Sequence, residues 1–347
     1  MNSADTPSAP PANAVTPESA AEAQPSRLRA AWRGWPGRVF RLLIACLPLY
    51  WVANRVRWAE VAHHAADVGA LAIFGSFVAL LASSVAGAIR WKVMLHAYGA
   101  TNTPPILTLL RHNLVGVYFN VLPGAVAGDI VRALRVRRCT PDDATSYTVT
   151  FVERIAGLFG LCSIAATAMA LSADLHDDRV AQALELGVLG AFGLSSLVMA
   201  LPYVLDRRPE WKSSVARVPV IGGIVTRIPP ARSLKGPLLA VLLSVATQGF
   251  VVISISFLIR PLSSAATMLV CARVIPAIVL VTYIPLTPGG LGQREAAFAY
   301  LFGLAHVPAE ASVATSLMFF AIFMSLAGLG GLCLLAERLF DLKDVPR

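Results

Sequence analysis

The chain has 347 residues, 56% of them hydrophobic and 14% charged, with 29 Lys+Arg against 20 Asp+Glu for a net charge of +9. Soluble domains carry about 25% charged residues, and a mean hydropathy of +0.66 leaves too thin a charged shell to cover one water-soluble core. A sizeable soluble catalytic domain is thereby excluded, and the bilayer is the expected solvent. The basic surplus fits the cytoplasmic loops of a multi-span protein, where it sets orientation and meets anionic lipid, rather than a nucleic-acid partner. The cysteines (Cys46, Cys139, Cys162, Cys271, Cys333) are scattered with no C-x-x-C, a pattern that argues for neither disulfides nor zinc. No cofactor is expected.

Residues 1–26, rich in Ala, Pro and Ser, have the composition of a disordered tail. Arg27, Arg29, Arg33, Arg38 and Arg41 then alternate with Trp32, Trp35 and Phe40, a basic aromatic stretch suited to the membrane interface on the cytoplasmic side. Residues 1–37 thus form a tail and juxtamembrane segment ahead of a transmembrane domain spanning 38–338, with 339–347 as a second tail. The apolar run at 39–53 reads as an uncleaved first span. Leu43-Ile44-Ala45-Cys46 mimics a lipoprotein cleavage box, but no hydrophobic stretch separates it from Arg41.

Five further runs, at 68–89, 144–171, 182–205, 236–259 and 311–336, are long enough to cross hydrocarbon as helices. The expected fold is therefore all-α and polytopic, with about six full crossings. Two other apolar regions, 105–138 and 263–304, are broken by Pro-Gly and carry ionisable residues. With the N-terminus inside, Asp174, Asp177 and Asp178 fall outside, and Arg207, Arg208, Lys212, Arg217, Arg227, Arg232 and Lys235 fall inside, as positive-inside requires. The C-terminus is also inside if each broken region enters and leaves on one face, as a hairpin or re-entrant pair.

The two breaks correspond. One reads Asn120-Val-Leu-Pro123-Gly124 through Gly128-Asp129 to Arg132; the other reads Pro288-Gly289-Gly290-Leu-Gly292-Gln-Arg294-Glu295. Divided near residue 178, the halves 38–178 and 179–338 each hold two spans, a broken hairpin and one more span, so they have opposite topology. Matching Gly/Pro breaks in inverted halves point to a transporter-like site near the midplane. A break frees backbone groups that lipid cannot satisfy, so it must face protein or a wet cavity. A helix restarting there aims N–H groups and its positive dipole end at an anion. Arg132 and Arg294 add full charges, and Asp129 and Glu295 sit in the first turn. The same residues also fit a purely structural hairpin in which Asp129 pairs with Arg132 at i+3 and caps the helix.

Other polar residues inside apolar runs are Arg111, His112, Asn113, Glu153, Arg154 and Arg273, costly at such depth unless paired or hydrated. Glu153 with a nearby arginine also fits an ion pair that locks helices. Arg90 and Lys92, beside Trp91, read as interfacial anchors that snorkel. His63-His64 has no companion ligands at metal spacing and reads as loop.

On Asn120, Pro123-Gly124, Gly128-Asp129, Arg132, Glu153-Arg154 and Pro288-Gly289-Gly290-Leu291-Gly292 to Glu295, in that order and spacing, the sequence resembles the transmembrane-region family of lysylphosphatidylglycerol synthases over roughly 38–338. The resemblance implies a polytopic bacterial inner-membrane protein of flippase-like type, associated in the family with moving modified lipid between leaflets. The family's aminoacyl-transferase domain has no counterpart in this sequence, so that activity is not expected.

The function expected first is non-enzymatic: a lipid translocator or lipid-binding protein whose headgroup site draws on the Pro-Gly breaks, Arg132, Arg154, Arg273 and Arg294, with Glu153, Asp129 and Glu295 as protonatable groups. Its partner is a membrane lipid, anionic or aminoacylated phospholipid or polyprenyl lipid. No G-x-x-x-x-G-K-[ST] supplies an ATP site. A second reading is an accessory partner of a membrane glycosyltransferase or lipid-modifying enzyme. The sequence has no H-E-x-x-H or G-x-S-x-G to support an intramembrane enzyme.

Overall fold

The computed structural model describes residues 57–121, 127–172, 179–208, 235–283 and 292–339, together with Asn54, Glu210, Trp211 and Gly290. Among the described residues, ten α-helices and one 3-10 turn make up the fold: α1 Trp58–Asp67, α2 Ala70–Ala97, α3 Ile106–Val121, α4 Ala127–Val136, α5 Asp143–Leu171, α6 Arg179–Arg207, α7 Lys235–Ile259, α8 Met268–Tyr283, α9 Gln293–Leu304 and α10 Ala309–Leu339. Five of them, α2, α5, α6, α7 and α10, are long and apolar enough to cross a membrane. They fall on the five long apolar runs read from the sequence. The expected first span at 39–53 lies outside the described residues.

Local chemistry sets several boundaries. Asp142 accepts the Thr145 N–H at 2.6 Å and starts α5, a side-chain cap that satisfies one of the orphan donors of a first turn. Gly290 and Gly292 have φ of 71° and 77°, in the left-handed region where residues with a Cβ are strained. The chain can therefore turn sharply just before α9.

The central feature is an antiparallel seam between α2 and α7. The Ser76 and Ser254 hydroxyls meet at 2.9 Å, Ser83 donates to the Thr247 carbonyl at 2.9 Å, and Arg90 reaches Ser244 at 3.2 Å. A side chain on Gly75 would press on the Phe257 ring, and one on Gly236 on the Ala97 methyl. As the residue number rises along α2 it falls along α7. In lipid, helices associate through close packing and interhelical hydrogen bonds rather than a hydrophobic drive, so small and hydroxylated residues mark the contact.

The remaining packing mirrors itself across this seam. Helices α3 and α4 pack as a hairpin, and so do α8 and α9; α3 lies on α10 and α8 on α5; α1 lies on α10 and α6 on α5. Each hairpin has its own apolar core nearby. Trp91, Met94, Leu95, Leu109, Val136 and Val149 fill one, and Cys162, Ile255, Ile275, Phe298 and Phe302 are part of the other. The inverted repeat read from the sequence is thus the arrangement of the described helices. The breaks themselves, 122–126 with Pro123 and Gly124, and 284–289 with Pro288 and Gly289, lie outside the described residues.

Candidate functional site

The first hairpin is held by its smallest residues. Asn120, near the end of α3, accepts the Gly128 N–H at 3.0 Å, so a side-chain amide serves as cap for the restarted helix α4. A Cβ on Gly128 would collide with the Gly116 carbonyl oxygen and the Asn120 side chain, which explains why glycine stands there. One turn on, Arg132 extends along Gly116 and its guanidinium lies 4.3 Å from the Trp91 ring centre, a favourable cation–π geometry.

Arg132 belongs to an ionic chain drawn from α2, α4 and α5. The Glu153 carboxylate is 2% exposed and divides its oxygens: Oε1 takes Arg90 Nη2 at 3.1 Å, and Oε2 takes Arg132 Nη2 at 2.6 Å. Arg132 Nη1 lies 3.9 Å from Asp129 Oδ1, and the other Asp129 oxygen pairs with Arg154. Arg90 also donates to Ser244 on α7, whose hydroxyl is in turn fixed on the Ala240 carbonyl at 2.7 Å. Three guanidinium groups thus face two carboxylates. The Nε atoms of Arg90 and Arg132 and the indole nitrogen of Trp91 are buried and have no acceptor among the described residues. Among the described residues the set is rich in donors and holds three cations to two anions. Arg154, at the open end, is 47% exposed at its side chain.

This geometry revises two expectations. Arg90 is not a snorkelling anchor: it is 8% exposed, because Glu153 and Ser244 from other helices supply the partners that water would give at an interface. Asp129 is not chiefly the i+3 partner of Arg132, since its closer pair is Arg154 on α5.

The second hairpin repeats the design with different chemistry. Gln293 at the start of α9 donates from Nε2 to the Val281 carbonyl at 2.5 Å, so again one amide side chain ties the two helices together. Glu295 is 5% exposed and turns back to accept the Gly292 N–H at 2.6 Å. Its other oxygen holds Arg294 and accepts the Ser316 hydroxyl at 3.1 Å. Arg294 stacks 4.5 Å from the Phe320 ring centre. Charge here balances, one cation to one anion.

Arg273 stands apart, with Nε donating to Glu185 at 2.7 Å and Nη1 to Ser172 at 2.8 Å. The arginines proposed from the sequence therefore sit in three separate clusters, with only Arg132 and Arg154 sharing one. Tyr283, the last residue of α8, is within electrostatic reach of Arg154, Arg90 and Asp129.

Sequence reasoning missed five members of these clusters: Arg90 as a buried ligand, Ser172, Ser244, Glu185 and Ser316. It also missed a further cluster, where Glu337 near the end of α10 accepts from both Arg135 terminal nitrogens at 2.9 and 2.8 Å and forms an ion pair with Arg111, whose Nε lies 3.1 Å away. His112 lies buried beside it, 6% exposed. Glu337 ends a long apolar run, where a lone carboxylate was the available signal.

Long apolar helices, paired broken hairpins and buried ionic clusters define an all-helical polytopic membrane protein. The chain matches the family described as the lysylphosphatidylglycerol synthase TM region over residues 38–330, and it belongs to that family. No curated protein and no solved structure matches it.

Proposed function

We propose that the protein binds a lipid with an anionic headgroup at the Arg90–Glu153–Arg132–Asp129–Arg154 cluster and moves it between leaflets, without covalent chemistry. The observation that carries this reading is the surplus in that cluster: three cations to two anions, and buried N–H donors on Arg90, Arg132 and Trp91 that have no acceptor among the described residues. Charges buried in a membrane cost several kcal/mol and mark functional paths by default. A purely structural lock would be expected to balance its charge, as Arg294 and Glu295 do. A phosphate oxyanion supplies acceptors for those donors, and the restarted helix α4 adds its positive dipole end. Acyl chains stay in the bilayer while the headgroup passes the ionic cluster. The setting we infer is a bacterial inner membrane with both termini cytoplasmic.

Reconstitution into liposomes tests this, scoring leaflet exchange of fluorescent anionic, zwitterionic and polyprenyl-phosphate lipids. Wild type should exchange the anionic lipids, and Arg154→Gln should lose at least ten-fold of that rate with an unchanged melting temperature. Absence of exchange with every lipid, from folded protein, overturns translocation and favours an accessory role beside a membrane enzyme.

A further inference from the structure

A groove of about 850 Å³ opens at the end of the α2–α7 seam remote from Arg90. Its walls are Leu71 and Ala72 from the first turn of α2 and Ile253 and Phe257 from the last turns of α7; Arg260, Ser263, Ser264 and Thr267 form the rim between α7 and α8. Eighteen residues separate Ala72 from Arg90 along α2, roughly 27 Å at 1.5 Å per residue. The groove and the ionic cluster thus lie at opposite ends of the seam, toward opposite membrane faces.

The lining divides sharply by chemistry. Leu71 is 83% exposed and Phe257 44%, apolar surface on two helices long and apolar enough to cross a membrane. Arg260, by contrast, is exposed, and no carboxylate pairs with it among the described residues. Thr267 accepts the Val270 N–H at 3.2 Å, which leaves its hydroxyl proton to donate. Every charged or donor group of the rim is therefore suited to an acceptor with negative charge, and the wall directly beside it to an alkyl chain.

We infer that this groove is a second lipid site, which holds a phospholipid with its phosphate at Arg260 and the adjacent hydroxyls and one acyl chain along Leu71, Ile253 and Phe257. Charge complementarity selects the occupant: a cation without a protein counter-ion, set at the end of an apolar trough, matches an anionic amphiphile. A zwitterionic lipid gains less, because its own ammonium opposes Arg260. The site does not depend on the translocation reading, since none of its residues belongs to the ionic cluster.

The full chain in nanodiscs, with phosphatidylglycerol bearing a diazirine in one acyl chain, gives the test. Adducts mapped by mass spectrometry should concentrate on the peptides containing Phe257 and Met268, and Arg260→Gln should lower them at least five-fold. Arg154→Gln should leave them unchanged, which separates failure of this site from failure of the translocation reading. A zwitterionic probe of the same chain length should label several-fold less. Equal labelling in wild type and Arg260→Gln, even labelling along all membrane-facing helices, or cross-links from this groove to a second copy of the chain would each overturn the inference.

Discussion

Glu153 and Arg132, 21 positions apart in the chain, meet at 2.6 Å, and the pair joins the spanning helix α5 to α4, the second helix of the first hairpin. Because Arg90 holds the other carboxylate oxygen, removal of the one anion strands two buried cations.

Glu153→Gln is therefore expected to cost about 3–5 kcal/mol, the range for breaking a buried pair from one side. The melting temperature in detergent should fall clearly. Adding Arg132→Met to that variant should restore part of the loss, since one stranded cation is then gone. A double variant as unstable as the sum of the two single changes would show that the two groups do not interact.

Glycine contacts separate helix crossings that need a bare backbone from those that do not. A Cβ on Gly330 would collide with the Leu114 carbonyl, whereas one on Gly187 meets nothing within 4 Å. Gly330→Ala should force α10 off α3 and lower stability by about 1–3 kcal/mol, as overpacking does. Gly187→Ala should leave it unchanged. Paired thermal melts decide the point.

At the start of α9, Glu295 performs two tasks, capping Gly292 and neutralising Arg294. Glu295→Ala loses both, while Ser316→Ala removes two hydrogen bonds, one from Arg294 Nε and one to Glu295, about 1 kcal/mol each, and leaves the ion pair in place. Melting curves should rank the first as much the more damaging. An equal effect of the two changes would mean that Arg294 finds its charge balance elsewhere.

A pH effect is expected at α1, outside the spanning helices. Asp67 holds a hydrogen bond to His63 at 2.8 Å, which raises the His63 pKa above its ordinary 6.5. The protonated ring is the favoured form, so this contribution to α1 is fully present below pH 6.5 and is lost as pH rises through the elevated value. Imidazole NMR titration should show a midpoint above 6.5 that falls toward it in Asp67→Asn.

Five spans were legible because hydropathy is a local property and lipid imposes it over some 20 residues. The run ending at residue 89 nonetheless extends as α2 to Ala97. Arg90 and Lys92 ended the expected span because hydropathy counts a charge as lost to lipid, whereas Arg90 meets Glu153 and Ser244, 63 and 154 residues away. The hairpins were legible from Pro-Gly, but the tie between Asn120 and Gly128 was not, because only the folded hairpin brings the amide oxygen onto that N–H. The division of the arginines into three clusters was not, because Arg273 is decided by Glu185, whose place on α6 only the tertiary fold sets. Asp129 likewise had a partner within reach in sequence, but Arg154 presents the better geometry from a neighbouring helix.

The α2–α7 seam has a further consequence. A face that meets its own counterpart after a half-turn is the isologous contact by which two identical subunits associate. The present chain holds that association at fixed stoichiometry by covalent linkage, which frees the two copies to diverge. They have done so in charge: one hairpin keeps an unbalanced ionic cluster and the other a neutral pair. What would be two equivalent hairpins in a dimer of one repeat are here two dissimilar ones, three cations against two anions in one and a single balanced pair in the other.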